Sequence, residues 1–220
     1  MGQRIDRLCA SSSGRFEVVG RFDRDQHRDA CPSHVDVVID FSSNDGTPDA
    51  IRCARTAKAA LLVGTTGLTA ATISLVREAS LEIPVLVSPN TSLGIAVMRH
   101  LTTEAARLLG GAYTLSIQEV HHTRKLDKPS GTALALADAA ARGGHAIDQA
   151  QIESIREGDV VGDHAVIWEG SAERITLRHE AKDRDLFAQG ALEMARWISL
   201  QTPRMYGMDD WFASWRESRA

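Results

Sequence analysis

Through the first two-fifths of the chain, short runs rich in valine, isoleucine and leucine alternate with segments whose apolar residues recur every three or four positions. The runs RFEVVGRFD (15–23), VDVVIDFS (35–42), ALLVGTT (60–66) and IPVLVSPN (83–90) predict strands. Between them, residues 3–11, DAIRCARTAKA (49–59) and LTAATISLVREAS (68–80) read as helices. Near-continuous apolar strands joined by crossover helices imply a parallel sheet covered on both faces, a doubly wound Rossmann-like α/β arrangement. From Leu93 the texture changes: a long helix (94–109), a strand from residue 113, a helix from about 132 to 142, three strand-like pieces (151–156, 164–169, 173–179) and a final helix FAQGALEMARWISL (187–200). That order suggests a second α+β domain with a mixed sheet. The pattern thus divides the chain into a dinucleotide-binding domain, 1–92, and a substrate and oligomerisation domain, 93–202. The aromatic-rich tail, 203–220, is expected to pack back on the first domain.

With 220 residues, 43% of them apolar, the chain can bury a sizeable core. A net charge of −4 with both signs interspersed excludes a broad cationic face for nucleic acid or an anionic membrane. No apolar run approaches the ~20 residues of a membrane helix, so a soluble, intracellular protein is expected. Cys9, Cys31 and Cys53 are too scattered for a disulfide framework or zinc pattern and are expected as small core or surface residues, which fits a reducing cytoplasm.

Ligands of open parallel sheets bind beyond the carboxyl ends of the strands. The first run ends in Asp23 and Arg24, an acid suited to a ribose hydroxyl beside a base suited to a 2′-phosphate. The third ends in Gly64, Thr65 and Thr66 before Gly67, small residues that let backbone amides approach a ligand. The fourth ends in Ser88, Pro89, Asn90 and Thr91. The usual glycine fingerprint and the strand before it are missing: counting back from Asp23 by the customary ~20 residues reaches Gly2. The chain therefore reads as starting inside the phosphate-binding turn, an expectation that leaves the neighbouring strand edges exposed.

The densest chemistry lies in EVHHTRKLDKPSGTALALA (119–137), where a strand ending near residue 120 meets an alanine-rich helix with Ser130 or Thr132 as its cap. The run E-x-H-H-x-x-K-x-D-x-P-S-G-T-A, from Glu119 to Ala133, resembles the signature of the 4-hydroxy-tetrahydrodipicolinate reductase (dihydrodipicolinate reductase) family of lysine biosynthesis. VIDFS near Ile39, VGTTG (63–67), PNTSLG (89–94), REGDVVGDHAV (156–166) and FAQGALEMARW (187–197) resemble the family's other blocks, so the likeness covers nearly the whole chain. The departures are the absent N-terminal strand and glycine loop, a shortened segment around 26–34, and Ser-Pro-Asn-Thr where many members have an alanine-rich turn with phenylalanine.

The resemblance implies an NADPH- or NADH-dependent reductase acting on a cyclic dicarboxylate, and a homotetramer built through the second domain's sheet. It makes His121 the proton donor or acceptor, Lys125 the proton donor, His122 a substrate ligand, and Gly131 with Thr132 the carboxylate cradle. Physical chemistry agrees with these roles: the amino end of a helix favours an anion, Lys125 adds a charge, and histidine exchanges protons near neutral pH. Adjacent residues at a strand end point opposite ways, so the two histidines should do different work. His100, His145, His164 and His179 read as structural or surface residues, and no second cluster at ligand spacing suggests a metal. The rival reading is a truncated, non-catalytic relative that keeps the substrate domain but does not hold the dinucleotide.

Overall fold

The computed structural model describes residues 1–22 and 31–219. In chain order its elements are α1 (Gly2–Ala10), β1 (Val37–Asp40), α2 (Thr47–Ala57), β2 (Ala60–Val63), α3 (Ala70–Ala79), β3 (Pro84–Val87), α4 (Leu93–Leu109), β4 (Thr114–His121), α5 (Gly131–Arg142), β5 (Ile152–Arg156), β6 (Asp163–Glu169), β7 (Arg174–Glu180), α6 (Asp185–Ile198), β8 (Arg204–Gly207) and α7 (Met208–Glu217). They form two compact units, Met1–Ser92 with Asp185–Ala220, and Leu93–Arg184.

The first unit is built on a parallel sheet of order β1-β2-β3-β8. Successive residues Leu61 and Leu62 of β2 are both fully buried. Because neighbouring side chains on a strand face opposite ways, both faces of the sheet are covered. Ile51 and Ala54 of α2 and Val76 of α3 close over Leu61, Val63 and Val85. Helix α6 also packs on β1, β2 and β3. The expected division at residue 202 is therefore corrected: the chain returns to the first unit at Asp185, because the apolar face of α6, including Ala188, Ala191 and Ile198, is part of that unit's core. Contact there is so close that a Cβ at Gly190 would stand 1.7 Å from the Thr91 carbonyl oxygen. In the tail, β8 adds a fourth parallel strand beside β3, with Tyr206 opposite Leu86.

Two further expectations change. The run expected as a strand at 15–23 is not one in its described part, 15–22; a strand exists by its ladder of hydrogen bonds, and no described residue pairs with it. Cys31 and Cys53 are joined as a disulfide, with Cα atoms 5.2 Å apart, whereas Cys9 is free and buried. The fold brings together two cysteines that are 22 positions apart, and the cysteine pattern no longer argues for a reducing compartment.

The second unit carries a mixed sheet of order β5-β4-β6-β7, with β4 parallel to β5 and antiparallel to β6. Along β4, Leu115, Ile117, Glu119 and His121 are the buried series. Its first two members join Ile95, Leu136, Val166 and Trp168 in the core. Its last two are polar, so one strand face passes from apolar core into a buried polar cluster.

No described helix is long and apolar enough to cross a membrane.

Candidate active site

The polar cluster begins on β4, which runs on through His121 and so holds Glu119 and His121 on a rigid element instead of on the loop. Glu119 has no exposed surface, and His121 is 8% exposed. Parallel pairing sets Arg156 of β5 beside His121, and antiparallel pairing sets His164 of β6 beside Glu119. One Glu119 oxygen meets His121 Nδ1; the other lies 2.9 Å from Arg156 Nη1. The rings of His121 and His164 meet edge to face, 5.0 Å between centroids. His164 Nε2 in turn lies 3.3 Å from Ser130 Oγ.

Ser130 is the N-cap of α5: its hydroxyl accepts from the Ala133 amide at 3.2 Å. Gly131 and Thr132 therefore form the first turn, and the space where a Gly131 side chain would stand is open to 4 Å. Lys125 Nζ is 2.9 Å from Asp127 Oδ1, and its amide donates to the His122 carbonyl at 3.1 Å. His122 follows the end of β4; its amide donates to the Val160 carbonyl, and its Nδ1 is buried without a hydrogen-bond partner among the described residues. The structure thus brings His121, Lys125 and the amino end of α5 to one place in the second unit.

Burial works against the Glu119 carboxylate, but the Arg156 guanidinium paired with it and the His121 ring outweigh that and hold its pKa below the ordinary value. His121 is lowered, chiefly by burial; contact with Glu119 pulls it back up, and the charges of Lys125 and Arg156 push it down. His122 is lowered by desolvation and by Arg124, Arg184 and Lys125. His164 falls to about 3, because burial and neighbouring His121 both oppose its charged form.

His164, expected as a structural or surface residue, is buried beside His121 and the Ser130 cap. Arg156 was expected only as the end of a strand and the start of a family-like block, with no role in the site. The period-two burial of β4 points inward to Glu119 and His121, but which residues of β5 and β6 lie opposite is set by register, and the local pattern does not contain it. Donor atoms of Glu119, His121 and His164 lie within 4.8 Å of one another. The Arg156 guanidinium beside Glu119 opposes a second cation there; Glu119 pairs with His121, and His164 meets that pair through its ring contact with His121.

At the carboxyl ends of β2 and β3, the hydroxyls of several expected cofactor residues are engaged within the fold. Thr65 Oγ1 donates to the buried Asp40 carboxylate at 2.9 Å, alongside Thr47 Oγ1 at 2.7 Å. Ser88 Oγ donates to the Asn90 carbonyl at 2.5 Å, and Thr91 Oγ1 to the Phe187 carbonyl at 2.6 Å. Gly64 lacks a side chain because the Phe41 ring fills that place, 2.2 Å from a built Cβ. The surface these turns offer is Thr66, Pro89 and the half-buried Asn90, with Gly67 at φ +70° beside open space. Asp23 and Arg24 lie outside the described residues.

Family models described as dihydrodipicolinate reductase, N-terminus, and dihydrodipicolinate reductase, C-terminus, match residues 1–91 and 94–212. Proteins named 4-hydroxy-tetrahydrodipicolinate reductase match over most of the chain. That of Campylobacter jejuni subsp. doylei is 34% identical over 96% of this chain and 92% of its own length. Those of Anaeromyxobacter dehalogenans and Campylobacter fetus subsp. fetus are 39% and 40% identical over 80% of this chain, covering 72% and 76% of their own lengths. Among solved structures, a dipicolinate-bound dihydrodipicolinate reductase from Paenisporosarcina sp. TG-14 superposes with a TM-score of 0.62 over 80% of this chain and 73% of its own, at 24% identity, and shows the same fold. With both halves matched by the family's two models and full-length relatives well above 30% identity, the chain belongs to the dihydrodipicolinate reductase family, a family of NAD(P)H-dependent oxidoreductases.

Proposed function

We propose that this chain reduces 4-hydroxy-tetrahydrodipicolinate to tetrahydrodipicolinate, a step towards diaminopimelate and lysine. The observation that carries the reading is the meeting of His121, Lys125 and the amino end of α5 on one strand-to-helix segment. NADH or NADPH, the reductant of the family's enzymes, supplies the hydride when bound. A cyclic dicarboxylate presents one anion to the first turn of α5, where Gly131 leaves room and the helix dipole favours negative charge. Lys125, held by Asp127, is the proton donor, His121 exchanges a proton beside it, and His122 binds substrate. Thr66, Gly67, Pro89 and Asn90 form an open, small-residue edge that fits a nicotinamide nucleotide, over a scaffold of Gly64, Thr65, Ser88 and Thr91. Asp23 and Arg24 are assigned to the adenosine ribose and its 2′-phosphate. A cytoplasmic homotetramer, joined through the second unit's sheet, completes the reading; the edge strand β7, with Ile175 37% exposed, is open to such a contact.

Calorimetric titration with NADPH, followed by a reductase assay, tests this. Saturable binding and turnover are expected. No binding at millimolar NADPH would overturn the reductase reading in favour of a relative that keeps the substrate unit alone. Lys125→Ala should lower kcat by ~10²-fold or more, with NADPH affinity unchanged; an unaltered kcat would remove Lys125 from its role.

A further inference from the structure

His121 and Lys125 are linked by two buried side chains with no role so far. The Arg156 side chain is 8% exposed, and its Nη1 lies 2.9 Å from Glu119 Oε1. The same guanidinium donates from Nε to the Lys125 carbonyl at 3.2 Å and from Nη2 to the Asp127 carbonyl at 2.5 Å. The second Glu119 oxygen meets His121 Nδ1. Nη1 also donates to the Ile155 carbonyl at 2.7 Å, so the guanidinium is ion-paired to the carboxylate behind His121 and hydrogen-bonded to the backbone on either side of Leu126.

We propose that Glu119 and Arg156 are positioning residues: Glu119 holds His121 as the Nδ1–H tautomer, leaving Nε2 to exchange the proton, and Arg156 ties the Lys125–Asp127 segment to that same carboxylate. The inference rests on the roles given above to His121 and Lys125. An ionised carboxylate only accepts hydrogen bonds, so the nitrogen facing it carries the hydrogen, and Nε2 is the acceptor in the neutral ring. Arg156 beside it favours the ionised form of Glu119 despite its burial. Nε2 faces the backbone of Gly162, where a Cβ would stand 2.9 Å away, so the glycine keeps that nitrogen clear of a side chain. The titratable and charged groups around the ring are Glu119 on its own strand, Arg156 on β5, His164 on β6 and Lys125 from the loop. A buried ion pair of this kind is a weak source of stability, since apolar replacements are often as stable. Its reach to the lysine segment points to geometry as its role.

The test uses the full chain labelled with ¹⁵N-histidine, with the His121 signals assigned from His121→Asn. Long-range ¹H–¹⁵N spectra above pH 7 should show Nδ1–H in the wild type and a shift towards Nε2–H in Glu119→Gln, where Arg156 keeps the amide oxygen and the NH2 turns to donate to Nδ1. In the reductase assay, Glu119→Gln should lower kcat about tenfold or more at unchanged KM for NADPH. The limb of the pH profile belonging to His121 should move to acid, because the charge favouring imidazolium is gone. Arg156→Lys keeps a charge but cannot span carboxylate and two carbonyls; it should lower kcat while leaving the tautomer and that limb in place. Should Glu119→Gln not fold, Glu119→Leu/Arg156→Met removes both charges and leaves no acceptor facing Nδ1, and it must lose the preference for Nδ1–H. A wild-type ring found as Nε2–H, or a glutamine variant with the wild-type tautomer and pH profile, overturns the proposal. The tautomer is read without turnover, so an inactive chain would sink the reductase reading and still decide this one.

Discussion

Acid should destabilise the second unit through His164, by an amount set by the burial of its ring. The residue is 4% exposed, its Nδ1 has no hydrogen-bond partner among the described residues, and its Nε2 is 3.3 Å from Ser130 Oγ. Burial first, and then the positive charge of neighbouring His121, lowers its pKa from 6.5 to about 3. The unfolded chain takes up a proton below 6.5 that the folded chain refuses until about 3. This contribution to stability is therefore complete above the unfolded value and is lost as pH falls through that window. At ~1.4 kcal/mol per unit the whole difference is about 5 kcal/mol. The part expressed between about pH 7.5 and about pH 5 is ~2 kcal/mol. Urea unfolding at those two pH values, followed by tryptophan fluorescence and far-UV circular dichroism, measures it against His164→Gln, which cannot titrate. The wild type should lose ~2 kcal/mol more than the variant over that interval. Equal losses would show that His164 protonates as readily folded as unfolded, and the account of its burial would fail.

Three other perturbations test separate parts of the structure. Gly162→Ala places a methyl 2.9 Å from His121 Nε2, so the ring must shift; kcat should fall at nearly unchanged Tm, and a wild-type kcat would show that Nε2 does not need that space. Gly190→Ala drives a Cβ to within 1.7 Å of the Thr91 carbonyl oxygen, and differential scanning calorimetry should show overpacking of ~1–3 kcal/mol or more in the first unit; an unchanged Tm would contradict the close seating of α6. Ser130→Ala removes the cap on the Ala133 amide, costing ~1 kcal/mol, and should raise substrate KM as the first turn of α5 loosens; a KM equal to the wild type's would separate that turn from substrate binding.

What the amino-acid order determines by itself is local. Val37–Asp40, Ala60–Val63 and Pro84–Val87 are strands, and Thr47–Ala57 and Ala70–Ala79 helices, near where apolar periodicity places them, because each pattern records which faces of a segment meet water. The Glu119–Ala133 run likewise carries its chemistry in its letters, from the paired histidines to the helix cap. Tertiary structure decided whatever depends on a neighbour distant in the chain. Residues 15–22 are no strand, since a ladder needs a partner that local sequence cannot supply. Arg204–Gly207 becomes one because β3 offers an edge. Helix α6 belongs to the first unit because its apolar face is buried on that unit's sheet, and Cys31 meets Cys53 because the fold brings them together. His164 and Arg156 join Glu119 and His121 through strand register, a property of two segments at once. A pattern along one segment records its exposure to solvent, whereas the pairing of segments exists only once the chain has folded.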